Sequence, residues 1–328
     1  MSTTGKATAI DRGAFFRQGW LVAEVYRVDG GFDRRLFSGA SCAFGVFDGV
    51  HEGHRYLLGQ ARTYAHDAGG ISIALTFDRD PDEVFHAERL KKLMTNERRI
   101  CALGEAGVDV VVVLPFTRAF AALDPMSFLE KTFDGTPPAF LHVGCDFRFG
   151  SRALGTVREL EGWGRVRDML VVAHDLKAAD GQPITATRIR LLLSEGKVEE
   201  ASRLLGRPYE VSGTVEQGRG EGRAFGFKTA NLRIPDQLRA IGDGVYAAWA
   251  EVDGERYKAA VNVGVPATFA DASTATCEAH LLDFDADLYG QSITVEFRHW
   301  LRPMRKFDDV EELVATVKSN IAWVRDNL

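Results

Sequence analysis

The stretch Gly45-Val46-Phe47-Asp48-Gly49-Val50-His51-Glu52-Gly53-His54 decides how the first half of this chain is read. Ser41 to Phe47 is apolar and broken by glycine, whereas Arg55 to Ala68 spreads Tyr56, Leu57, Leu58, Ala61 and Ala65 at helical spacing, so a buried strand gives way to a helix. His51 and His54 then fall on the first helical turn, where unpaired N–H groups and the positive end of the helix dipole attract anions. Imidazoles beside those donors suit the phosphates of a nucleotide and the charge that builds up when a nucleotidyl group is transferred, and no covalent nucleophile is needed. Gly45, Phe47 and Asp48 form the turn that leads into them. The plain alternative for either histidine is a cap or a solvated side chain. Zinc is the other rival, but the metalloprotease helix carries His at i and i+4, and the spacing here is i, i+3.

Apolar runs alternate with helical patterns on both sides of this turn. Ile71 to Phe77, Asp109 to Leu114, Ala139 to Gly144 and Asp168 to Ala173 read as strands, with Glu97 to Gly107 and Pro125 to Phe133 as intervening helices. This is the pattern of βαβ units and a parallel sheet, whose ligand crevice lies beyond the carboxyl ends of the strands, where the histidine turn falls. A helical pattern rich in Leu and Arg runs from Thr185 to Gly206, and beyond it the texture changes. Tyr209 to Val215, Gly244 to Val252, Arg256 to Val263, Glu278 to Phe284 and Ser292 to Trp300 are short, β-branched or aromatic, and spaced by Gly or Asp, as in a small antiparallel barrel. The expected division is residues 1–206 and 207–328. A last amphipathic helix, Asp308 to Leu328, is expected to pack on the barrel.

The chain has 328 residues and a formal net charge of −6, which suits two ordinary domains and argues against a broad basic surface for nucleic acid. Cys42, Cys101, Cys145 and Cys277 are scattered, without a CxxC pair or a secretory segment, so a reducing, cytoplasmic setting is expected. No apolar run approaches the roughly 20 residues that span a bilayer, so no membrane role is expected. The sequence sets no oligomeric state.

Further clusters carry chemistry. Gly144-Cys145-Asp146-Phe147-Arg148-Phe149-Gly150 follows a buried strand and offers a carboxylate, a guanidinium and two aromatics, which suit a nucleotide or a flat ring. Thr185-Ala186-Thr187-Arg188-Ile189-Arg190 opens a helix with hydroxyls and guanidiniums that can hold phosphate, although Thr185 or Thr187 can equally be an N-cap. Thr76-Phe77-Asp78-Arg79-Asp80-Pro81 ends another strand and carries a weaker functional reading, with a plain turn as the alternative. In the second half, Gly213, Gly218, Gly222 and Gly226 punctuate a loop able to bring backbone N–H groups to phosphates, though it is neither GxxxxGK[ST] nor GxGxxG. If Thr229 and Asn231 are extended they share a face, and their oxygens suit a hydrated Mg²⁺. Glu278 and His280 share a face of a later strand, where a carboxylate can take the proton of a hydroxyl.

Together these motifs resemble the bacterial bifunctional riboflavin kinase/FMN adenylyltransferase family, also called FAD synthetase, over nearly the whole chain. GVFDGVHEGH at 45–54, GCDFRFG at 144–150 and ITATRIR at 184–190 look like its adenylyltransferase motifs, and GRAFGFKTANL at 222–232, NVGVPATF at 262–269 and EAHLLDFDADLYG at 278–290 like its kinase motifs. The resemblance implies a Rossmann-like α/β nucleotidyltransferase domain of the HxGH type followed by an antiparallel β-barrel riboflavin kinase domain with a C-terminal helix. It implies riboflavin, FMN and ATP as substrates and Mg²⁺ as cofactor. His51 and His54 would contact ATP phosphates with help from Thr187 and Arg190, and Asp146 stands where the family places a nucleotide-contacting Asp or Asn. Thr229 and Asn231 would hold Mg²⁺, and Glu278 would activate the ribityl hydroxyl.

The departures concentrate in the second half. Lys228 replaces the usual proline before Thr-Ala-Asn, Pro266-Ala267 stands in place of the usual Arg-Pro before Thr268-Phe269, and Met304 replaces a common glutamate. In the first half the usual Pro-His is Arg79-Asp80. Two rival readings follow: an FMN adenylyltransferase with an impaired kinase domain, and a flavin- or nucleotide-binding protein without turnover.

Overall fold

The computed structural model describes residues 12–17, 20–28, 32–85, 91–218, 227–238, 240–264 and 276–328. It forms two compact units, Met1–Leu90 with Thr95–Ile184, and Lys91–Met94 with Thr185–Leu328.

In the first unit the strands are β1 (Arg12–Arg17), β2 (Trp20–Arg27), β3 (Ser41–Phe44), β4 (Ser72–Phe77), β5 (Val110–Leu114), β6 (Phe140–Gly144) and β9 (Leu170–His174), with two-residue ladders β7 (Arg148–Phe149) with β8 (Gly155–Thr156) and β10 (Ala178–Ala179) with β11 (Gln182–Pro183). Its helices are α1 (Glu52–Asp67), α2 (Pro81–Phe85), α3 (Asn96–Glu105), α4 (Arg118–Ala121), α5 (Pro125–Phe133) and α6 (Val157–Arg165). The sheet order is β1-β2-β5-β4-β3-β6-β9; β1 runs antiparallel to β2 and the rest are parallel. Every residue of β3, β4 and β5 is buried, which is why these strands read as unbroken apolar runs: helices cover both faces. From β3 the chain winds outward through β4 and β5, then crosses back to lay β6 on the other side of β3. The crevice at this reversal lies beyond the carboxyl ends of β3 and β6. Phe37, Phe44, Phe128, Phe133 and Leu141 fill the core beneath it.

In the second unit, β12 (Tyr209–Glu216), β13 (Ala230–Arg233), β14 (Gly244–Val252), β15 (Glu255–Gly264), β16 (Thr276–Leu281) and β17 (Ser292–Arg302) close a barrel in the order β12-β13-β16-β15-β14-β17. All its pairings are antiparallel. Burial alternates along β12, so Val211 and Val215 face the core and Ser212, Thr214 and Glu216 face out. The C-terminal helix α9 (Val310–Asn327) seals the far side through Val324, which packs with Ala247 and Leu282. Helices α7 (Ala186–Ser194) and α8 (Val198–Leu205) belong to this unit by packing, whereas the sequence division fell after them. Their grip is physical: Gly196 lies so close to Trp300 that a Cβ there would sit 2.8 Å from the indole, and Glu199 Oε1 meets His299 Nδ1 at 3.2 Å.

One buried polar chain crosses the parallel sheet. His142 Nδ1 lies 2.9 Å from His174 Nε2, and its Nε2 lies 3.1 Å from Ser41 Oγ. Burial, then the neighbouring His174, pushes His142 down to about 4, and burial lowers His174 as well. An unfolded histidine takes up its proton near 6.5, so the folded state binds fewer protons than the unfolded chain below that pH. Stability present above pH 6.5 is therefore lost as pH falls toward 4, by about 1.4 kcal/mol per pH unit for His142, and the more exposed His174 acts in the same direction. Denaturant titrations between pH 7 and about 4.5 are expected to show this slope, and His142→Leu is expected to make it shallower.

Candidate active sites

The first site is built from the turn between β3 and α1. The Gly45 N–H donates to the Leu75 carbonyl at 3.1 Å, which pins the end of β3 to β4. The chain then passes through left-handed backbone at Phe47 (φ 60°), Gly49 (φ 77°) and Val50 (φ 40°). For a β-branched residue such as Val50 that conformation is strained, and it persists because Phe47 and Val50 are sealed in the core at 1% and 0% exposure.

His51 is the N-cap of α1, one residue earlier than the first-turn position expected: its Nδ1 accepts from the His54 N–H at 3.3 Å. Nδ1 is thereby the acceptor, which leaves Nε2 to carry the proton and donate. The His51 and His54 rings stack with centroids 3.6 Å apart, and the edge of Phe47 meets His54 at 5.2 Å. Gly53 leaves room beside them: a Cβ there would lie 3.1 Å from the His51 ring, which would have to give by a few tenths of an ångström. Burial, the adjacent His51 and the Arg99 guanidinium hold His54 well below the usual histidine range, so it is neutral at pH 7. Its Nδ1 is buried without a hydrogen-bond partner among the described residues.

Below the turn lies a charge cluster. Asp48, Asp80 and Arg99 are 4%, 7% and 1% exposed. Burial raises Asp80, and the Asp48 charge adds to that; burial lowers Arg99, resisted by Asp80, Asp48, Glu83 and Asp78. Arg99 Nη2 donates to the Phe77 carbonyl at 2.6 Å, and Asp78 Oδ1 accepts from the Phe116 N–H at 2.7 Å. The segment expected to be a simple turn is thus a charge network at the carboxyl edge, in which Arg99 faces the carboxylate that stands in place of the usual histidine. Sequence reasoning missed Arg99. Its signal was an arginine on the same helical face as Ala102 and Leu103.

Beside the turn opens a cavity of about 660 Å³ walled by Phe77, Phe116, Phe128, Phe147 and Phe149, with Gly45 and Arg148 also on its lining. Asp146 is exposed at the end of β6, folded so closely over Gly144 that a Cβ there would be 2.7 Å from its Oδ1. Thr187 and Arg190 lie on α7 in the other compact unit. The cap of that helix is Thr185, whose Oγ1 accepts from the Arg188 N–H at 3.1 Å, and Thr187 is exposed on the first turn.

The second site is a row across the outer face of the barrel. Register places Asn231 opposite Glu216 and Glu278, and Glu278 opposite Asn262. Directly opposed antiparallel residues point to the same side of the sheet with Cβ atoms about 5 Å apart. Their strand neighbours Leu232, Cys277, Ala279, Val261 and Val263 are buried, so the polar row faces away from the barrel core. Gly218 presses on this row: a Cβ there would fall 2.2 Å from Asn231 Nδ2. Gly213 sits apart from the loop, buried within β12 where a Cβ would be 2.8 Å from the Arg233 carbonyl, so strand packing accounts for it. Gly222, Gly226 and Ala267 lie outside the described residues. Thr229 lines a cavity of about 290 Å³ with Lys228, Asp285 and Tyr289. Lys228 pairs with Asp285, and the His280 Nδ1–H donates to the Lys228 carbonyl at 2.8 Å. The residue that replaces proline is thereby fixed at both its side chain and its backbone.

No helix among the described residues is long and apolar enough to cross a membrane. Residues 34–188 match the family model described as FAD synthetase, and residues 205–328 the one described as riboflavin kinase. A bifunctional riboflavin kinase/FMN adenylyltransferase from Listeria monocytogenes is 32% identical over 280 residues, 85% of this chain and 89% of that one. A protein of the same description from Pseudomonas fluorescens is 33% identical over 88% of this chain and 92% of its own. The crystal structure of a macrolide-efflux protein from Streptococcus pneumoniae aligns with a TM-score of 0.78 and 30% identity, over 88% of this chain and 95% of that one. With one family model on each half and such relatives spanning most of its length, the chain belongs to the bifunctional riboflavin kinase/FMN adenylyltransferase family.

Proposed function

We propose that the chain makes FAD from riboflavin in two transfers at two sites, with residues 207–328 acting first and residues 1–206 second. In the first transfer the terminal ribityl hydroxyl of riboflavin attacks the γ-phosphorus of ATP, ADP leaves, and Glu278 takes the hydroxyl proton. The observation that carries this reading is the direct register of Asn231 with Glu278, next to Thr229 at the rim of a cavity. Lys228 does not leave the segment loose, since Asp285 and His280 engage it. The hard oxygens of Thr229 and Asn231 suit a divalent cation, Mg²⁺ or Mn²⁺, which when bound neutralises phosphate charge. Gly218, bare against Asn231, sets its own backbone close to that face.

In the second transfer a phosphate oxygen of FMN attacks the α-phosphorus of another ATP in line, and the bond to pyrophosphate breaks. The Nε2–H of His51, the neutral His54 ring and the N-terminus of α1 offset charge on the leaving group, and Asp146 contacts the nucleotide. The phenylalanine-walled cavity, with Arg148 on its lining, suits the flat flavin ring. Cys42, Cys101, Cys145 and Cys277 are unpaired, in keeping with the cytoplasm as the place of action.

Chromatography of reactions started from riboflavin or from FMN, each with ATP and Mg²⁺, tests the pair of activities: FAD is expected from both, and FAD from FMN alone would leave only the adenylyltransferase. Glu278→Gln is expected to abolish FMN formation while sparing FAD formation from supplied FMN. His51→Asn keeps a good N-cap but removes the Nε2 donor. It is expected to unfold within about 0.5 kcal/mol of the parent yet to lower FAD formation from FMN roughly 10²-fold to 10³-fold, with FMN formation unchanged.

A further inference from the structure

Asn262 closes the polar row on the side of Glu278 away from Asn231. The outward residues of β15 are Lys258, Ala260 and Asn262; Lys258 Nζ donates to the Arg325 carbonyl of α9 at 2.6 Å, and Ala260 packs on the cluster that holds Val324. Asn262 lies beyond that covered stretch. Across β14 it faces Val245, which is buried and apolar, so Glu278 is its polar neighbour across the two ladders. Its Oδ1 is nonetheless buried and finds no hydrogen-bond donor among the described residues. A carboxylate cannot serve it, because both groups are acceptors. A buried carbonyl oxygen left without a donor is costly, so such an atom beside a reacting group marks a place that a ligand's donor fills.

We propose that Asn262 Oδ1 accepts a hydrogen bond from the acceptor polyol, at the hydroxyl next to the one that is phosphorylated, and so determines which alcohols the kinase site accepts. This rests on Glu278 acting as the base for the terminal hydroxyl. Two neighbouring hydroxyls of one chain then meet two neighbouring acceptors in register, and that match selects a vicinal diol over a simple primary alcohol. It also fixes the terminal oxygen against Glu278, because the ribityl chain is held at two points rather than one.

The test is a cycle that pairs a protein change with a substrate change. FMN-type product is measured with riboflavin and with a riboflavin analogue lacking the hydroxyl next to the terminal one, for the parent chain and for Asn262→Leu. The parent is expected to lose roughly 10²-fold in kcat/KM on the analogue. Asn262→Leu is expected to lose about as much on riboflavin and, by the logic of the cycle, no more than about 3-fold further on the analogue. Losses that multiply would overturn the proposal. Asn262→Ser, which restores a shorter acceptor, is expected to recover part of the discrimination. Because the change to leucine removes an unserved polar atom, the free variant is expected to melt at the parent temperature or higher; a lower Tm would mark Asn262 as structural and overturn the proposal. Glu278→Gln run alongside separates the two readings: continued FMN formation there would remove the base on which the proposal rests, whereas its loss together with multiplicative effects at Asn262 would sink the Asn262 proposal alone.

Discussion

A single capping hydrogen bond, from the His54 N–H to His51 Nδ1, sets the geometry of the turn at the carboxyl end of β3. By accepting at Nδ1 the imidazole satisfies an N–H that a helix start otherwise leaves unpaired, and in the same act fixes Nε2 as the nitrogen that carries the proton. It also brings the two rings into a stack that glycine at 53 leaves uncrowded. The cap forms because the preceding turn is bent through left-handed backbone, and that bend is held by core packing around Phe47 and Val50. Strain, cap and ring stack are therefore one device, set at the point where the sheet reverses its winding between β3 and β6.

The barrel reaches a comparable result by register alone. Four strands bring Glu216, Asn231, Glu278 and Asn262 into line because antiparallel pairing leaves no choice of side once the apolar alternation has chosen the inside. A slip by one residue in any of these strands would bury the row and expose valine and leucine. The hydrophobic interior of the barrel thus polices the geometry of a polar site that it never touches.

The parts of this architecture legible in the sequence were those where a periodic pattern and a burial pattern coincide. β4, β5 and five of the six barrel strands read correctly to within a few residues, β13 being hidden in the glycine-rich segment, and the α/β sheet followed by a barrel was evident from the change of texture. The strand pair β1 and β2 was not read, because its signal is weak beside that of the buried parallel strands. The packing of α7 and α8 on the barrel was hidden as well: it depends on Gly196 meeting Trp300, a contact between residues about a hundred positions apart in the chain. At the candidate sites, the motifs named His51, His54, Asn231 and Glu278, and the structure stacks the first two and sets the last two in register. The motifs gave no hint that Arg99, far from any of them, supplies the charge facing Asp48 and Asp80, since its one signal, a place on the apolar face of α3, says that it is buried and not what it meets.

The substitution at Lys228 changes the kind of restraint rather than removing it. A proline stiffens its segment by geometry, in the unfolded chain as in the folded one, and no solvent condition alters that. Here the same segment is held by an exposed ammonium against an exposed carboxylate and by one imidazole donor on a backbone oxygen. Such a clasp is screened by dissolved ions and is absent from the unfolded chain. The approach to Thr229 and Asn231 thereby acquires a sensitivity to ionic strength that a ring-locked backbone lacks, so the stiffness of this part of the barrel follows the salt content of its surroundings.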